Sequence, residues 1–171
     1  MNYYEALGLD PKLTLDPDDL KKRFYERSRQ WHPDKFSRAS AEEQQKALDT
    51  TALLNDAFRT LRYPVTCAEY ALEQQQIHPS KTPPPELLEE VFELNMALEE
   101  LREGDEAVRP QLEKTKQKFL HILAEIDHGI AVMSGLYDRG RDQSLLHAIR
   151  SVLDRRRYVS NLLRDVDQAL G

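Results

Sequence analysis

Cysteine and glycine are scarce in this chain of 171 residues, and positive charge is in deficit. The single cysteine, Cys67, excludes an intrachain disulfide and a zinc site built from several thiolates. The six glycines, set against abundant Leu, Ala, Glu, Gln, Arg and Lys, favour an all-α protein. The formal net charge of −6 argues against a nucleic-acid-binding protein, which needs a basic surface.

Targeting and membrane patterns are also missing. The N-terminus begins with polar Asn2 and an amphipathic turn, so no secretory signal is visible. No apolar stretch approaches about 18 residues, so we expect no membrane span and no membrane partner. A lone cysteine fits a reducing compartment, and we expect a cytoplasmic protein.

The tripeptide His32-Pro33-Asp34 lies between two predicted helices. Pro33 fixes its own φ and disfavours helix at His32, so the first helix must end near Trp31. That helix begins with Asp16 as N-cap and Pro17 at its first position, and the next runs from about Ala41 to Leu61 after a Ser40 cap. The tripeptide therefore forms a stiff loop tip that presents an imidazole and a carboxylate.

A catalytic role for His32 and Asp34 as an acid–base pair is disfavoured. A short exposed loop does not desolvate the pair, and no nucleophile or phosphate-binding motif accompanies it. We expect no catalytic residues, and no cofactor or metal site, because the remaining histidines lack metal-ligand spacing. Cys67 is expected to be a buried packing residue.

The chain divides at a proline-rich stretch. We predict an N-terminal domain over residues 1–75, a stiff linker over 76–85 that ends in Pro83-Pro84-Pro85, and a C-terminal domain over 86–171. Earlier in the chain, Gly8 ends a short turn and a short helix covers Cys67 to Leu72. The C-terminal domain has three helical segments with short connections, which predict an antiparallel three-helix bundle. The segments are Glu86 to Arg102, Val108 to Leu136 and Ser144 to Leu170.

The first segment of this bundle carries two apolar lines. Core packing explains the line formed by Leu87, Val91, Leu94, Leu98 and Leu101. It does not explain Leu88, Phe92 and Met96, which lie on another side at about 100° per residue. Seven glutamates and one arginine surround them between residues 86 and 103. An apolar strip framed by acids predicts a surface that docks a partner with a charge preference; the alternative is packing against the first domain or the linker.

The N-terminal motifs resemble a J-domain. They are Tyr3-Tyr4-Glu5-Ala6-Leu7-Gly8-Leu9, the basic helix, His32-Pro33-Asp34-Lys35 and Leu54-Asn55-Asp56-Ala57-Phe58. The resemblance implies docking on a DnaK-class chaperone and stimulation of its ATPase. Asp34 would pair with a cationic residue of that chaperone, while His32 and Pro33 shape the loop. The basic residues that would meet its acidic surface are Lys21, Lys22, Arg23, Arg27, Arg29 and Lys35. Tyr25 and Glu26 depart from the family's basic pattern, which suggests a dedicated chaperone partner.

Further motifs extend the resemblance to HscB-type proteins over nearly the whole chain. They are Ala68-Glu69-Tyr70, Glu93-Leu94 with Leu98 and Leu101, and Arg157-Tyr158-Val159-Ser160-Asn161-Leu162. The resemblance implies an L-shaped, monomeric co-chaperone, not an enzyme, that delivers an IscU-type iron–sulfur scaffold to an HscA-type chaperone. The implied scaffold-binding residues are Leu88, Phe92, Glu93, Met96 and Tyr158. A J-domain protein with a different client is the alternative, and an enzyme built on the bundle is disfavoured because it lacks Glu-x-x-His motifs.

Overall fold

The computed structural model describes all 171 residues and contains only helices and the segments that connect them. This confirms the all-α fold class. The α-helices are α1 (Tyr3–Leu7), α2 (Pro17–Gln30), α3 (Ala41–Leu61), α4 (Pro64–Gln74), α5 (Leu88–Arg102), α6 (Arg109–Gly140) and α7 (Gln143–Leu170). Short 3₁₀ turns cover Pro33–Phe36, Pro85–Leu87 and Glu106–Val108.

The helices form two compact units. The N-terminal unit comprises Met1–Gln76 together with Ser134–Arg141, and the C-terminal unit comprises Ile77–Met133 and Asp142–Gly171. Helix α6 therefore contributes residues to both. Its last turns are held in the N-terminal unit, where the backbone N–H groups of Leu13 and Thr14 donate to the Asp138 carboxylate at 2.9 and 2.7 Å. Those bonds explain why α6 continues past Leu136, where the sequence pattern ends.

Local signals set the helix ends of the N-terminal unit. The Asp16 carboxylate accepts the Asp18 N–H at 3.0 Å, and the Ser40 hydroxyl accepts the Glu43 N–H at 3.2 Å, so both predicted caps are confirmed. Gly8 ends α1 at φ 66°, in the left-handed region that glycine adopts without strain. Helix α4 is longer than predicted because it begins at Pro64, which is tolerated in a first helical turn.

Each unit buries its own core. In the N-terminal unit Tyr4, Leu7, Leu20, Leu54 and Leu61 are buried with Cys67, whose packing role is confirmed. In the C-terminal unit the buried residues are Leu87, Leu94, Ala97, Leu98, Val108, Leu112, Phe119, Val159, Leu162 and Val166. The expected apolar line of α5 supplies several of them, and Val91 and Leu101 pack against the cluster.

The proline-rich linker is more than a spacer. The backbone N–H of Ser80 donates to the Asp154 carboxylate at 3.1 Å, and Arg157 donates to the Ser80 carbonyl at 3.1 Å. Asp154 also pairs with Arg150 at 3.3 Å, and both side chains are buried. The linker is therefore anchored to α7 by hydrogen bonds to Asp154 and Arg157, and the sequence pattern does not reveal the buried ion pair that holds Asp154.

Helix α6 has the length and mean hydropathy of a membrane span, although the sequence shows no such uninterrupted apolar run. The run is broken by Glu125, Asp127 and His128. Phe119, Ile126 and Ile130 are buried, and Asp127 pairs with Arg156 of α7 at 2.6 Å. These contacts make α6 a core helix.

Candidate functional site

The tripeptide predicted as a loop begins a 3₁₀ turn that fixes its geometry. The imidazole Nδ1 of His32 accepts the backbone N–H of Asp34 at 3.2 Å, and the His32 carbonyl accepts the N–H of Lys35 at 3.0 Å. Nδ1 carries no proton when it accepts a hydrogen bond, so its 3.6 Å approach to the Asp34 carboxylate is not an ion pair. The Asp34 side chain is 93% exposed, so its charge faces solvent.

Aromatic packing supports this turn from beneath. The Trp31 and Phe36 rings stack with centroids 5.7 Å apart and planes 5° from parallel. The Lys46 ammonium lies 5.5 Å from the centroid of the Trp31 ring, and the Thr51 hydroxyl donates to the Trp31 carbonyl at 3.2 Å. The turn is therefore fastened to α3, which limits the entropy that Asp34 would lose on binding.

The basic residues of α2 fall into two groups. Lys21, Lys22 and Arg29 are exposed and make no ion pair, whereas Arg23 and Arg27 are half-buried against the loop after α1. Arg23 pairs with Asp19 at 2.9 Å and donates to the Gly8 carbonyl at 2.6 Å.

A side chain at Gly8 would collide with the Arg27 guanidinium. Arg23 and Arg27 thus help to hold the N-terminal unit together, a role that the sequence analysis missed. Lys35, in the 3₁₀ turn, is exposed like the first group.

The second candidate surface lies on α5. Leu88, Phe92 and Met96 are 55%, 67% and 51% exposed, although they are large apolar side chains at helical spacing. The buried line that starts at Leu87 lies on another side of the same helix, so core packing accounts for one line and not for the other. The role of the exposed line stays a prediction.

The acids around this line differ in their availability. Glu90 pairs with Lys118 at 3.2 Å, and Glu99 approaches Arg102 at 3.6 Å. Glu89, Glu93 and Glu100 are exposed and make no ion pair, and Glu93 also lines a small cavity between α5 and α6. The free carboxylates leave the rim of the apolar line negatively charged.

Tyr158, the member predicted from the last helix, is only partly available. It packs against the core of the C-terminal unit, and the Arg157 guanidinium lies 5.8 Å from its ring centroid. Only part of the ring can meet another molecule.

The residues that could carry covalent or metal chemistry are not arranged for it. Burial raises the pKa of the Cys67 thiol to about 11, although a hydrogen bond with Tyr4 opposes part of this rise. Burial also raises the pKa of the Tyr4 hydroxyl, which donates to the Lys12 carbonyl at 2.8 Å. No group of three or more His, Cys, Asp or Glu side chains lies close enough to hold a metal ion.

Comparisons with known proteins match two families along the chain. The DnaJ domain family matches residues 2–71, and the family described as "HSCB C-terminal oligomerisation domain" matches residues 83–167. The chain is 30% identical to the "Co-chaperone protein HscB homolog" of Shewanella loihica, over 99% of this chain and 97% of that relative.

Two solved structures extend the likeness to three dimensions. The chaperone HscB from Vibrio cholerae superposes with a TM-score of 0.66 at 29% identity, over 98% of this chain and 96% of the other. Human co-chaperone HscB superposes with a TM-score of 0.65 over 98% of this chain and 81% of the other, and at 23% identity it supports the fold alone.

Proposed function

The chain belongs to the HscB family of J-domain co-chaperones, and from this membership we propose that it brings an IscU-type iron–sulfur scaffold to an HscA-type chaperone. The family is one of co-chaperones rather than enzymes, and membership implies an Hsp70-class partner. The observation that carries the proposal is the presence of two separate exposed surfaces, one on each unit, without a catalytic or metal-binding cluster.

The surface of the N-terminal unit has the chemistry needed to engage the chaperone. Asp34 is almost fully exposed on a turn that its neighbours hold in place, so it can pair with a cation without reorganising. Lys21, Lys22 and Arg29 add unpaired positive charge along α2. Such charges raise the association rate with an acidic surface more than they raise affinity.

The surface of the C-terminal unit has the chemistry needed to hold the scaffold. An aromatic ring, a methionine and a leucine in one exposed line are the side chains that bury most on association. The unpaired acids beside them, Glu89, Glu93 and Glu100, favour a client whose contact surface is apolar and edged with Lys or Arg. Tyr158 adds part of one ring.

The mechanism is one of effective concentration. A scaffold bound to the C-terminal unit is tethered to the chaperone that the N-terminal unit binds, so their encounter no longer depends on free diffusion. The co-chaperone changes the chaperone's ATPase cycle only through its different affinities for the chaperone's states. The protein acts as a monomer in the cytoplasm, carries no cofactor, and meets the iron–sulfur cluster only as cargo of the scaffold.

Calorimetric titration of a purified IscU-type scaffold into the full chain tests the client assignment. We use the full chain because residues 134–141 pack within the N-terminal unit and Ser80 is bound to α7, so a fragment starting at residue 86 would disturb both. A saturable 1:1 isotherm is expected. No heat and no co-elution at tens of micromolar protein would reject the scaffold as the client and leave the J-domain function standing.

A further inference from the structure

The attachment of the linker to α7 lies beside both parts of the proposed scaffold surface. It consists of Ser80 on the linker and of Asp154 and Arg157 on α7, and we call these three residues the linker anchor. We infer that the linker anchor is a positioning device for scaffold binding, which fixes the start of α5, where Leu88 lies, relative to Tyr158. The inference rests on the proposed function.

The linker anchor holds both backbone groups of Ser80. The Ser80 N–H donates to the Asp154 carboxylate at 3.1 Å, and one Nη atom of Arg157 donates to the Ser80 carbonyl at 3.1 Å. The other Nη atom of Arg157 lies 3.4 Å from the Asp154 carboxylate, and Arg150 lies 3.3 Å from it. Asp154 is buried and its hydrogen bonds to guanidinium groups are charge-assisted, so the linker is fixed at this point.

The chain between Ser80 and α5 is stiff. The Thr82 N–H donates to the Ser80 hydroxyl at 3.3 Å, and the two hydroxyl oxygens lie 3.0 Å apart, which closes a tight turn. Pro83-Pro84-Pro85 follows the turn, and each proline fixes its own φ. A displacement of Ser80 is therefore passed along the linker instead of being absorbed by it.

The start of α5 depends on this stiff stretch because no side chain caps it. Neither α5 nor the 3₁₀ turn before it has a side-chain cap hydrogen bond. The Leu87 N–H donates to the Pro84 carbonyl at 3.1 Å, and the Leu88 N–H donates to the Pro85 carbonyl. The first N–H groups of a helix need partners from outside it, and here the linker supplies two. Leu88 is also the first member of the exposed apolar line.

Arg157 connects the linker anchor to the other part of the surface. Its guanidinium lies 5.8 Å from the centroid of the Tyr158 ring, within the range of cation–π attraction. Tyr158 packs against the same core cluster that buries Leu87. One guanidinium thus restrains the linker on one side and the tyrosine ring on the other.

This arrangement matters for affinity because the scaffold surface is built from two helices. Leu88 on α5 and Tyr158 on α7 can meet one partner together only while the start of α5 keeps its place. Groups that are held before binding lose less conformational entropy on binding. Breaking the linker anchor should therefore weaken scaffold binding by loosening α5, without removing any contact to the scaffold.

Calorimetric titration of a purified IscU-type scaffold into full-length variants tests the inference. Arg157→Ala is expected to raise the dissociation constant about fivefold, which is the effect of ordering about one further side chain on binding. Arg157→Lys keeps the charge but loses the planar fork that bridges two acceptors, and is expected to have an intermediate effect. Arg156→Ala is the matched control: this neighbouring arginine pairs with Asp127 of α6 at 2.6 Å, so its removal should leave the dissociation constant unchanged.

Hydrogen exchange measured by NMR supplies a readout that separates positioning from general stability. Exchange at the Leu88 amide is expected to become several times faster in Arg157→Ala, because its acceptor belongs to the linker. The Leu98 amide, in the middle of α5, should exchange as in wild type. Arg157→Ala should also cost less affinity in a Tyr158→Ala background than alone, since the two side chains interact.

The outcomes are distinct. Thermal melting establishes which variants are folded, and Arg157→Lys carries the test if Arg157→Ala does not fold. An unchanged dissociation constant in the folded variant, or an equal loss in Arg156→Ala, would overturn the inference and leave the proposed function standing. Weaker binding without faster exchange at Leu88 would mean that Arg157 touches the scaffold itself, which would overturn the positioning role. Absence of scaffold binding by the wild type would overturn the proposed client and the inference with it.

Discussion

The Nδ1 atom of His32 accepts the backbone N–H of Asp34 at 3.2 Å, and the Asp34 side chain that follows this bond is 93% exposed. It links the two charged residues of the tripeptide through the backbone rather than through an ion pair. His32 thereby acts as the N-cap of the 3₁₀ turn and places Asp34 instead of competing for its charge.

Removing this cap should loosen the turn without unfolding the unit. One exposed hydrogen bond contributes about 1 kcal/mol, so His32→Ala is expected to increase hydrogen exchange at the Asp34 amide roughly fivefold. Proton exchange measured by NMR checks this, with the Arg38 amide, which lies beyond the turn, as an internal reference. Equal exchange in both proteins would mean that the cap does not hold the turn.

Truncating the exposed apolar side chains of α5 should weaken binding of the client without destabilising the fold. The triple variant Leu88→Ala, Phe92→Ala and Met96→Ala is expected to lose more than about 2 kcal/mol of scaffold-binding free energy, because large apolar side chains buried at an interface carry most of its binding energy. The fold should not be weakened, because these side chains are solvent-exposed in the free protein. Calorimetry gives the affinity. Leu120→Ala, an exposed apolar residue on α6, is the matched control and should bind as wild type; equal losses in both would show that the line has no special role.

The buried thiol makes the N-terminal unit sensitive to alkaline pH. Burial raises the pKa of Cys67 from its ordinary value of 9.0 to about 11, and raises that of Tyr4 as well. A group whose pKa is raised on folding stabilises fully below its unfolded pKa, and that contribution is lost as the pH rises towards the folded pKa. The free energy of unfolding should therefore fall by about 1 kcal/mol between pH 8 and pH 10 on account of the thiol.

Urea unfolding at the two pH values measures this loss. Cys67→Ala is the control, since it removes the thiol and should show a smaller decrease over the same range. A decrease of the same size in the variant would assign the pH dependence to other groups.

The ion pair beneath the linker should be costly to break. Arg150 and Asp154 are both buried, so Asp154→Ala leaves an uncompensated charge and frees Ser80. Such a loss is expected to cost about 3–5 kcal/mol of unfolding free energy. Chemical denaturation measures it, and Asp165→Ala, an exposed site on the same helix, should change stability by less than about 0.5 kcal/mol. Comparable values for the two variants would show that the pair is not a structural anchor.

Signals that act within a few residues were predicted from the sequence, and signals that act across the fold were not. The caps at Asp16 and Ser40 depend only on neighbouring N–H groups, so the sequence shows them. The separation of the α2 cations into exposed and half-buried groups depends on a contact with Gly8, which lies across a loop from α2 and accepts a hydrogen bond from Arg23. The anchoring of Ser80 to α7 and the extension of α6 through Asp138 depend on contacts more than 70 residues apart in the chain.

The same distinction applies to the candidate surfaces. The spacing of Leu88, Phe92 and Met96 is visible in the sequence, because helical periodicity alone separates them from the core line. The ring contact between Phe24 and Phe58 is not visible, because the two residues come from different helices and meet only in the folded unit.

Steady-state ATP hydrolysis by the purified chaperone, measured with the full chain and the scaffold present, tests the central claim most directly. Asp34→Asn preserves the size of the side chain and removes the charge that the turn exposes. Wild type is expected to stimulate hydrolysis, whereas Asp34→Asn should bind scaffold with unchanged affinity and fail to stimulate. Stimulation by Asp34→Asn equal to that of wild type would contradict the account.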